Sequence, residues 1–425
     1  MKVKDIPSRG SSRVWAAAVL ATALMTVVGV LMGVDSPART TPQPTLGVAI
    51  GPRLPMAAGH RGLLTPVDAL QRAAQQAELG MPPGIVRTVG THFVVDGQPW
   101  RFLGFNDYKF TSQTYAAGFT CGGQHSDSEL AADFVAMHQL GVTVVRTWFF
   151  QSFVAGRDWS AFDRVLAAAG RNGIRVIPVL ANQWGSCENF NHTQQQYKTL
   201  GWYRSGYADH ADYGMPMSYA DYATAVAKHY AGDSRIAFWQ LMNEAEALDS
   251  QGGVCHEQAA AKAIRSFADH MTGVVKAADP YHLVSLGTSG DGHCGISDGD
   301  YEFVHAGAVD VCEYHDYTAF PAPAARSNAC AGLQKPLFAG ERGFKADLGS
   351  GAVTPDTLNR RARYFAADIQ AALGSDACQG YLIWSWSEGR SVSFDVSRND
   401  PAAGLIQQSA GLVSPEAVYL AVSGQ

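Results

Sequence analysis

The sequence predicts an α/β chain organised as a (β/α)8 TIM barrel, and three observations carry that expectation. From residue 102 onward, runs rich in β-branched and aromatic residues alternate with helix-forming stretches, and eight such runs can be counted. Strand–helix alternation sustained in this way points to a parallel sheet wrapped by helices. The runs are also continuously apolar, as in VTVVRTWFF at 142–150, which suits strands buried on both faces. Several of them end in polar or aromatic residues, and a barrel gathers its chemistry at the carboxyl ends of its strands. A doubly wound open sheet is the alternative. It would want a glycine-rich phosphate turn after its first strand, and the sequence has none there.

The elements follow in order. Lys2, Lys4, Arg9 and Arg13 precede an uncharged run at 14–34 that begins VWAAAVLATAL. A basic segment before an apolar one is an export signal, and this run also reaches bilayer-spanning length. Residues 1–34 are therefore expected to be a signal peptide or an N-terminal membrane anchor, with the rest of the chain outside the cytoplasm. Residues 35–85 hold Pro37, Pro42, Pro44, Pro52, Pro55, Pro66, Pro82 and Pro83 and read as an extended linker, with one short helix near 68–79. The folded domain is expected over 86–425. It opens on a hairpin at 92–108 that turns at Asp96 and Gly97.

A helix over 126–141 begins with the capping pair Ser126 and Glu129 and ends at Gly141. The strand at 142–150, a helix at 160–172 and the strand at 175–184 come next. A long loop and a helix starting at Ser218 lead to a strand at 236–246. Beyond a helix at 257–278, strands are expected at 282–290, 309–317, 336–343 and 380–389, with a strong helix at 354–374 between the last two. The connectors on either side of 309–317 lack an obvious helix.

Composition narrows the function. Hydrophobic residues at 47% and charged residues at 16% describe a globular chain with ample core. A net charge of −6 offers no cationic field for a phosphate backbone, so nucleic acid is excluded as the main partner. Nine Trp suit a carbohydrate-binding surface. The seven Cys form no C-x-x-C pair, which sets aside zinc and thioredoxin-like chemistry and fits an oxidising compartment. Six lie in expected loops, and the pairings Cys121–Cys187, Cys255–Cys294 and Cys330–Cys378 are expected, with Cys312 a buried free thiol in its strand.

Reading off the strand ends gives Asn106, Arg146, Asn182 with Trp184, Asn243 with Glu244, His315 with Tyr317, Glu341 and Trp384. Glu244 and Glu341 end the fourth and seventh barrel strands, on opposite sides of the mouth. Two carboxylates facing across a cleft are the equipment for glycosidic bond hydrolysis, one protonating the leaving oxygen while the other attacks or activates water. The bland alternative for each is a structural ion pair, and Glu246 is a second candidate acid beside Glu244. Trp386 competes with Trp384 as a sugar platform, while strand alternation turns Asp107 and Asp316 elsewhere.

R-T-W at 146–148, L-A-N-Q-W at 180–184, W-Q-L-M-N-E at 239–244, H-D-Y at 315–317, K-P-L-F-A-G-E at 335–341 and W-S-W at 384–386 occur in this order on successive strands. Together they resemble glycoside hydrolase clan A, and within it family 5, most closely its endo-β-1,4-mannanase branch. The resemblance covers roughly residues 88–390. It implies Glu244 as general acid/base, Glu341 as nucleophile, and Asn243 as the partner of the sugar 2-hydroxyl. It further implies that Arg146 and Tyr317 hold Glu341 ionised and oriented, that His315 lies near Glu244, and that Trp384 underlies the sugar at the cleavage point. Asn182 matches the mannanase-like form of the third strand.

Two departures stand out. Ala245 and Glu246 follow the acid where the family usually has Pro, and Arg342 follows Glu341 where an aromatic is usual. Arg342 is expected to sit beside the nucleophile and favour its ionised form.

The expected protein is thus an exported retaining β-glycoside hydrolase working by double displacement, without metal or organic cofactor. Its expected substrate is a β-1,4-mannan or glucomannan, its partner that polysaccharide or its oligosaccharides, its state a monomer, and its membrane contact the N-terminal segment alone. The rivals are a β-glucan, glycolipid or envelope-glycan enzyme, a transglycosylase, and a barrel that binds sugar without cleaving it. Long loops at 109–125 and 185–217 are expected to wall one end of the cleft, stapled by Cys121 and Cys187.

Overall fold

The structure, a computed structural model, describes residues 81–413 apart from 112–124, 155–157, 186, 189–196, 213–214, 291, 318–323 and 388–393. The expected signal or anchor at 1–34 lies outside the described residues, as does nearly all of the linker at 35–85. Among the described residues no helix is long and apolar enough to cross a membrane.

The chain enters through three antiparallel strands, β1 (Val86–Val89), β2 (His92–Val95) and β3 (Gln98–Trp100). Asp96 (φ 49°) and Gly97 (φ 75°) take the left-handed conformations of a two-residue hairpin turn, which is why an Asp–Gly pair stands there. The barrel follows: β4 (Phe102–Asn106), β5 (Val144–Trp148), β6 (Arg175–Val179), β7 (Trp239–Gln240), β8 (Val284–Ser285), β9 (Cys312–Asp316), β10 (Leu337–Arg342) and β11 (Gly380–Trp384). These eight run parallel in the order β8-β7-β6-β5-β4-β11-β10-β9, and a bridge from Ser285 to Val311 joins the two edges into a closed barrel. The two-residue β7 and β8 are shorter than the runs at 236–246 and 282–290 suggested. Residues beyond their ends leave the ladder and shape the mouth.

Phe93 of the hairpin is fully buried against inward side chains near the strand starts, Phe102, Phe238, Phe338 and Leu382 among them. It plugs the floor of the barrel. Burying a ring of this size whole is worth about 1.5–3 kcal/mol. The helices lie outside: α1 (Asp127–Gln139), α2 (Ser160–Arg171), α3 (Tyr219–His229), α4 (Glu257–Ala278), α5 (Asp298–His305), α6 (Ala324–Gly332), α7 (Pro355–Leu373) and α8 (Pro401–Ser409). Ser126, Ser218 and Thr354 cap α1, α3 and α7, each accepting a backbone N–H of the first turn. The connectors flanking β9 do carry helices, α5 and α6. They are short, eight and nine residues, so they offered little helical periodicity to read.

The cysteines correct two expectations. Cys255–Cys294 forms as expected, but Cys312 pairs with Cys330 and the buried free thiol is Cys378. Cys312 alternates with inward-facing Glu313, so its side chain leaves the barrel toward α6, where Cys330 sits. Cys187 is disulfide-bonded. Cys121, its expected partner, lies outside the described residues.

Candidate active site

Alternation along β9 sends Glu313, His315 and, just past the strand, Tyr317 into the barrel. On β10 the register slips: Ala339 pairs with Tyr314 but Glu341 pairs with His315, leaving Gly340 as an extra residue. This bulge reverses the parity of the strand, because Phe338 and then Glu341 face inward where strict alternation would have chosen Phe338 and Arg342. Arg342 is turned into the helix layer instead. Its guanidinium meets Asp368 of α7 at 2.7 Å and Asp316 at 3.1 Å. The expectation that Arg342 would favour the ionised form of Glu341 is therefore corrected.

Arg146 is the guanidinium beside Glu341, as the resemblance implied. Its Nη1 donates to Glu341 Oε1 at 2.7 Å and to Asn106 Oδ1 at 2.9 Å, its Nη2 to Asn243 Oδ1 at 2.7 Å, and its Nε to Gln240 Oε1 at 2.7 Å. The Tyr317 hydroxyl donates to the other Glu341 oxygen. Asn106 also donates to the carbonyl of Gly340 at 2.8 Å, bracing both Arg146 and the bulge. Asn243 donates to Asn182 at 3.1 Å, across a bridge that extends the pairing of β6 and β7.

Glu244 stands four residues beyond β7 in the left-handed region, φ 56°, an uncommon conformation for a non-glycine residue. It accepts the indole N–H of Trp184 at 2.9 Å on Oε2, and His315 Nδ1 lies 3.1 Å from Oε1. The same His315 Nδ1 is 3.5 Å from Glu341 Oε1. Oxygens of Glu244 and Glu341 and a nitrogen of His315 all lie within 4.8 Å of one another. Glu246 is turned away, accepting from the Tyr197 hydroxyl at 2.6 Å and the Cys294 N–H at 3.4 Å. Of the two candidate acids, only Glu244 shares this site.

The electrostatics separate the groups. Burial drives the Glu341 carboxyl upward, against the pull of His315 and Arg146. Burial acts the same way on Glu244. There the hydrogen bond and charge of protonated His315, the His293 charge and the Trp184 N–H outweigh it and hold the carboxyl at about 2. His315 is raised, because the charge of Glu341 and the bond to Glu244 overcome burial.

Trp384, at the end of β11, stacks on Tyr108 with centroids 5.9 Å apart and an interplanar angle of 10°. Trp386 packs against Phe105 in the core, as Trp148 does against Tyr108. Asp107 and Asp316 are turned elsewhere as expected, Asp107 toward the Lys109 backbone and Asp316 toward Arg342.

Three residues were not anticipated. Gln240 links Arg146 to Glu313, a fully buried carboxylate that also accepts the Thr288 N–H at 2.6 Å. Period-two reading back from His315 would have found Glu313. His293 packs edge-on against Trp184 at 5.6 Å, and it lies on a loop with no periodicity to reveal it.

A closed (β/α)8 barrel with one buried and one half-buried carboxylate this close at its carboxyl-end mouth defines a glycoside hydrolase of the retaining class. The cellulase model, glycosyl hydrolase family 5, matches residues 108–368, and the chain belongs to that family. Mannan endo-1,4-beta-mannosidase A of Podospora anserina is 23% identical over 384 residues, spanning 80% of this chain and 90% of that protein. Mannan endo-1,4-beta-mannosidase 7 of Arabidopsis thaliana is 26% identical over 240 residues, 49% of either chain. Among solved structures, the endo-1,4-beta-mannanase of Rhizomucor miehei shares the fold with a TM-score of 0.58 at 18% identity, covering 77% of this chain and 99% of that one. The endo-beta-1,4-mannanase of Thermotoga petrophila does so with a TM-score of 0.55 at 17% identity, covering 75% and 78%.

Proposed function

We propose that this protein is an exported hydrolase of β-1,4-mannan or glucomannan, with Glu341 as nucleophile and Glu244 as general acid/base. The observation that carries the mechanism is the approach of their oxygens to within 4.8 Å. Inverting enzymes hold their carboxyl groups roughly 6.5–9.5 Å apart to admit a water, whereas retaining ones hold them about 5–5.5 Å apart.

In the first step Glu341 bonds to the anomeric carbon while the C–O bond to the leaving sugar breaks. The electron pair goes to the leaving oxygen, which takes the proton from Glu244. In the second, Glu244 removes a proton from water, the water oxygen bonds to the anomeric carbon, and Glu341 leaves as a carboxylate. Two inversions at the anomeric carbon return the original β configuration. Arg146 and Tyr317 donate to both oxygens of Glu341 and keep it an acceptor. Asn243, its carbonyl fixed by Arg146, meets the 2-hydroxyl of the sugar. Trp384 floors the subsite of the cleaved sugar, and Trp184 lies on the acid/base side, where the leaving group departs. This chemistry calls on no metal or organic cofactor, since both steps are proton and glycosyl transfers between carboxylates and oxygens.

Mannan is favoured because the curated relatives carry the name mannan endo-1,4-beta-mannosidase and because Asn182, just beyond the third barrel strand and bridged to Asn243, matches the mannanase-like form of that motif. Export is supported by the basic and apolar start of the chain and by its disulfides. Residues 1–34 would serve as signal or anchor, 35–85 as linker and 86–425 as the catalytic domain.

The test is reducing-sugar release by the full chain from mannan, glucomannan, carboxymethylcellulose, xylan and β-1,3-glucan, with Glu341→Gln as the blank. Release from mannan and glucomannan above the blank is expected. Release from carboxymethylcellulose or β-1,3-glucan alone would overturn the substrate, and an α-configured first product by NMR would overturn the mechanism.

A further inference from the structure

His315 is the group that touches both proposed catalytic carboxylates, and its two ring nitrogens meet different surroundings. Nδ1 is 3.1 Å from Glu244 and 3.5 Å from Glu341. Among the described residues Nε2 is buried without a hydrogen-bond partner, and it lies 3.7 Å from Glu313 Oε1. Glu313 sits two residues earlier on the same strand, fully buried, so its carboxylate lies beneath the site rather than in it. The Thr288 N–H fixes its Oε1 and the Gln240 amide its Oε2. Gln240 in turn receives Arg146, so Glu313 is pinned to the scaffold that holds Glu341. Gly340 keeps the space: a Cβ there would stand 2.9 Å from His315 Nε2 and 3.4 Å from Glu313 Oε2.

A general acid must carry its proton until the leaving oxygen takes it. With an imidazolium beside it Glu244 is held as a carboxylate, and a ring bearing its single proton on Nδ1 would hold it the same way. Either state disarms the acid. The second would also point the bare Nε2 lone pair at Glu313. A neutral imidazole carries its proton on one nitrogen only, and the neighbour of the other nitrogen decides which.

We propose that Glu313 is a positioning residue that keeps the His315 proton on Nε2, so that Nδ1 faces Glu244 bare and accepts the hydrogen bond of its acid O–H. This rests on the reading of Glu244 as acid/base. It also serves the second step, because a bare Nδ1 gives the Glu244 carboxylate no hydrogen bond and leaves it a stronger base toward water. The charged groups facing the ring are Glu244, Glu341, Glu313 and Arg146. Glu313 is the one among them with no proposed contact to substrate or to a reacting atom.

The test compares mannopentaose, whose leaving oxygen needs a proton, with 2,4-dinitrophenyl β-mannobioside, whose leaving group needs none. Glu313→Gln keeps the shape but lets an amide N–H face Nε2. It is expected to lower kcat/KM on mannopentaose by about 10- to 100-fold and on the aryl glycoside by less than about threefold. Glu244→Ala is run beside it. If Glu244→Ala falls equally on both substrates and gains nothing from azide, the acid/base reading fails. If Glu244→Ala spares the aryl glycoside but Glu313→Gln falls equally on both, the proposal about Glu313 fails. A readout independent of activity and of the variant's folding is 15N NMR of histidine-labelled wild-type protein, with His315 assigned by difference from His315→Gln. Because the Glu341 charge raises His315 in the free enzyme, the spectrum is taken on the 2-fluoromannosyl-enzyme, in which that charge is gone. An Nε2–H pattern at neutral pH is expected there, and an Nδ1–H pattern or an imidazolium overturns the proposal.

Discussion

At the scale of single residues, the site turns on Arg146, which is 1% exposed and directs all three of its nitrogens to different neighbours. Arg146→Met would leave Glu341 buried without its cation, a loss of about 3–5 kcal/mol that thermal unfolding would register. The same change removes a charge that pulls the Glu341 carboxyl down, so the acidic limb of kcat/KM should move to higher pH. A limb that stays in place would mean that Arg146 does not set the charge of Glu341. Glu341→Ala should lose nearly all turnover and recover part of it with azide, giving an α-glycosyl azide. Absence of rescue in folded protein would argue against Glu341 as nucleophile. Arg342 marks the limit of reading residues singly. In sequence it adjoins Glu341, yet it faces the opposite way and belongs to a buried network with Asp368 and Asp316. The guanidinium at Glu341 is that of Arg146, as the family resemblance implied, almost two hundred residues away in the chain.

At the scale of elements, the strand ends were legible because their chemistry contrasts with apolar interiors, and the residues expected at the mouth from β5, β7, β9 and β10 do converge there. What could not be read is register. A bulge adds one residue, and K-P-L-F-A-G-E-R gives no sign that Gly340 is the one without a partner. Gly340→Ala tests that element. An added methyl 2.9 Å from His315 Nε2 must displace the ring or the bulge, so a loss of at least tenfold in kcat/KM is expected, by analogy with the roughly 100-fold costs of misplaced catalytic groups. Gly404→Ala in α8 is the control, because among the described residues no atom beyond its own helical backbone and chain neighbours lies within 4 Å of the added carbon, and helix propensity should raise stability by about 0.5–1 kcal/mol. The expected Cys330–Cys378 pair failed because Cys312 was left unpaired inside its strand, although its side chain faces the helix layer where Cys330 sits. Alkylation of the denatured, unreduced chain should label Cys378 and recover Cys312 and Cys330 in one cross-linked peptide. A label on Cys312 would revive the pairing expected from sequence.

At the scale of the whole molecule, the barrel was legible because alternation of element types needs no exact boundaries. The same coarse signal hid the buried charges that set the response to pH. Burial lifts the Asp107 carboxyl from its ordinary range to about 6, against Lys109 and His125 and with help from Asp133. Burial likewise lifts Glu188 to about 7, against Lys198 and with help from Asp212. Both native carboxyls bind protons more tightly than their unfolded forms. The sign follows from linkage: where the native state holds more protons, stability falls as pH rises. The window runs from about 4, below which both states are protonated, to about 7, above which both are charged. Asp279 works the other way. Its bonds to His282 and Trp239 outweigh burial and hold it below its ordinary range, so its contribution is present at neutral pH and lost in acid. Asp107→Asn isolates the first effect, since the amide oxygen can still accept the Lys109 N–H at 2.7 Å while the buried charge is gone. At pH 8 the variant should be more stable by up to about 3 kcal/mol, with Tm raised by several degrees, and at pH 4 it should match the parent. Calorimetry across that range decides the matter: a gain of equal size at both pH values would mean the substitution acts through packing and not through the buried charge.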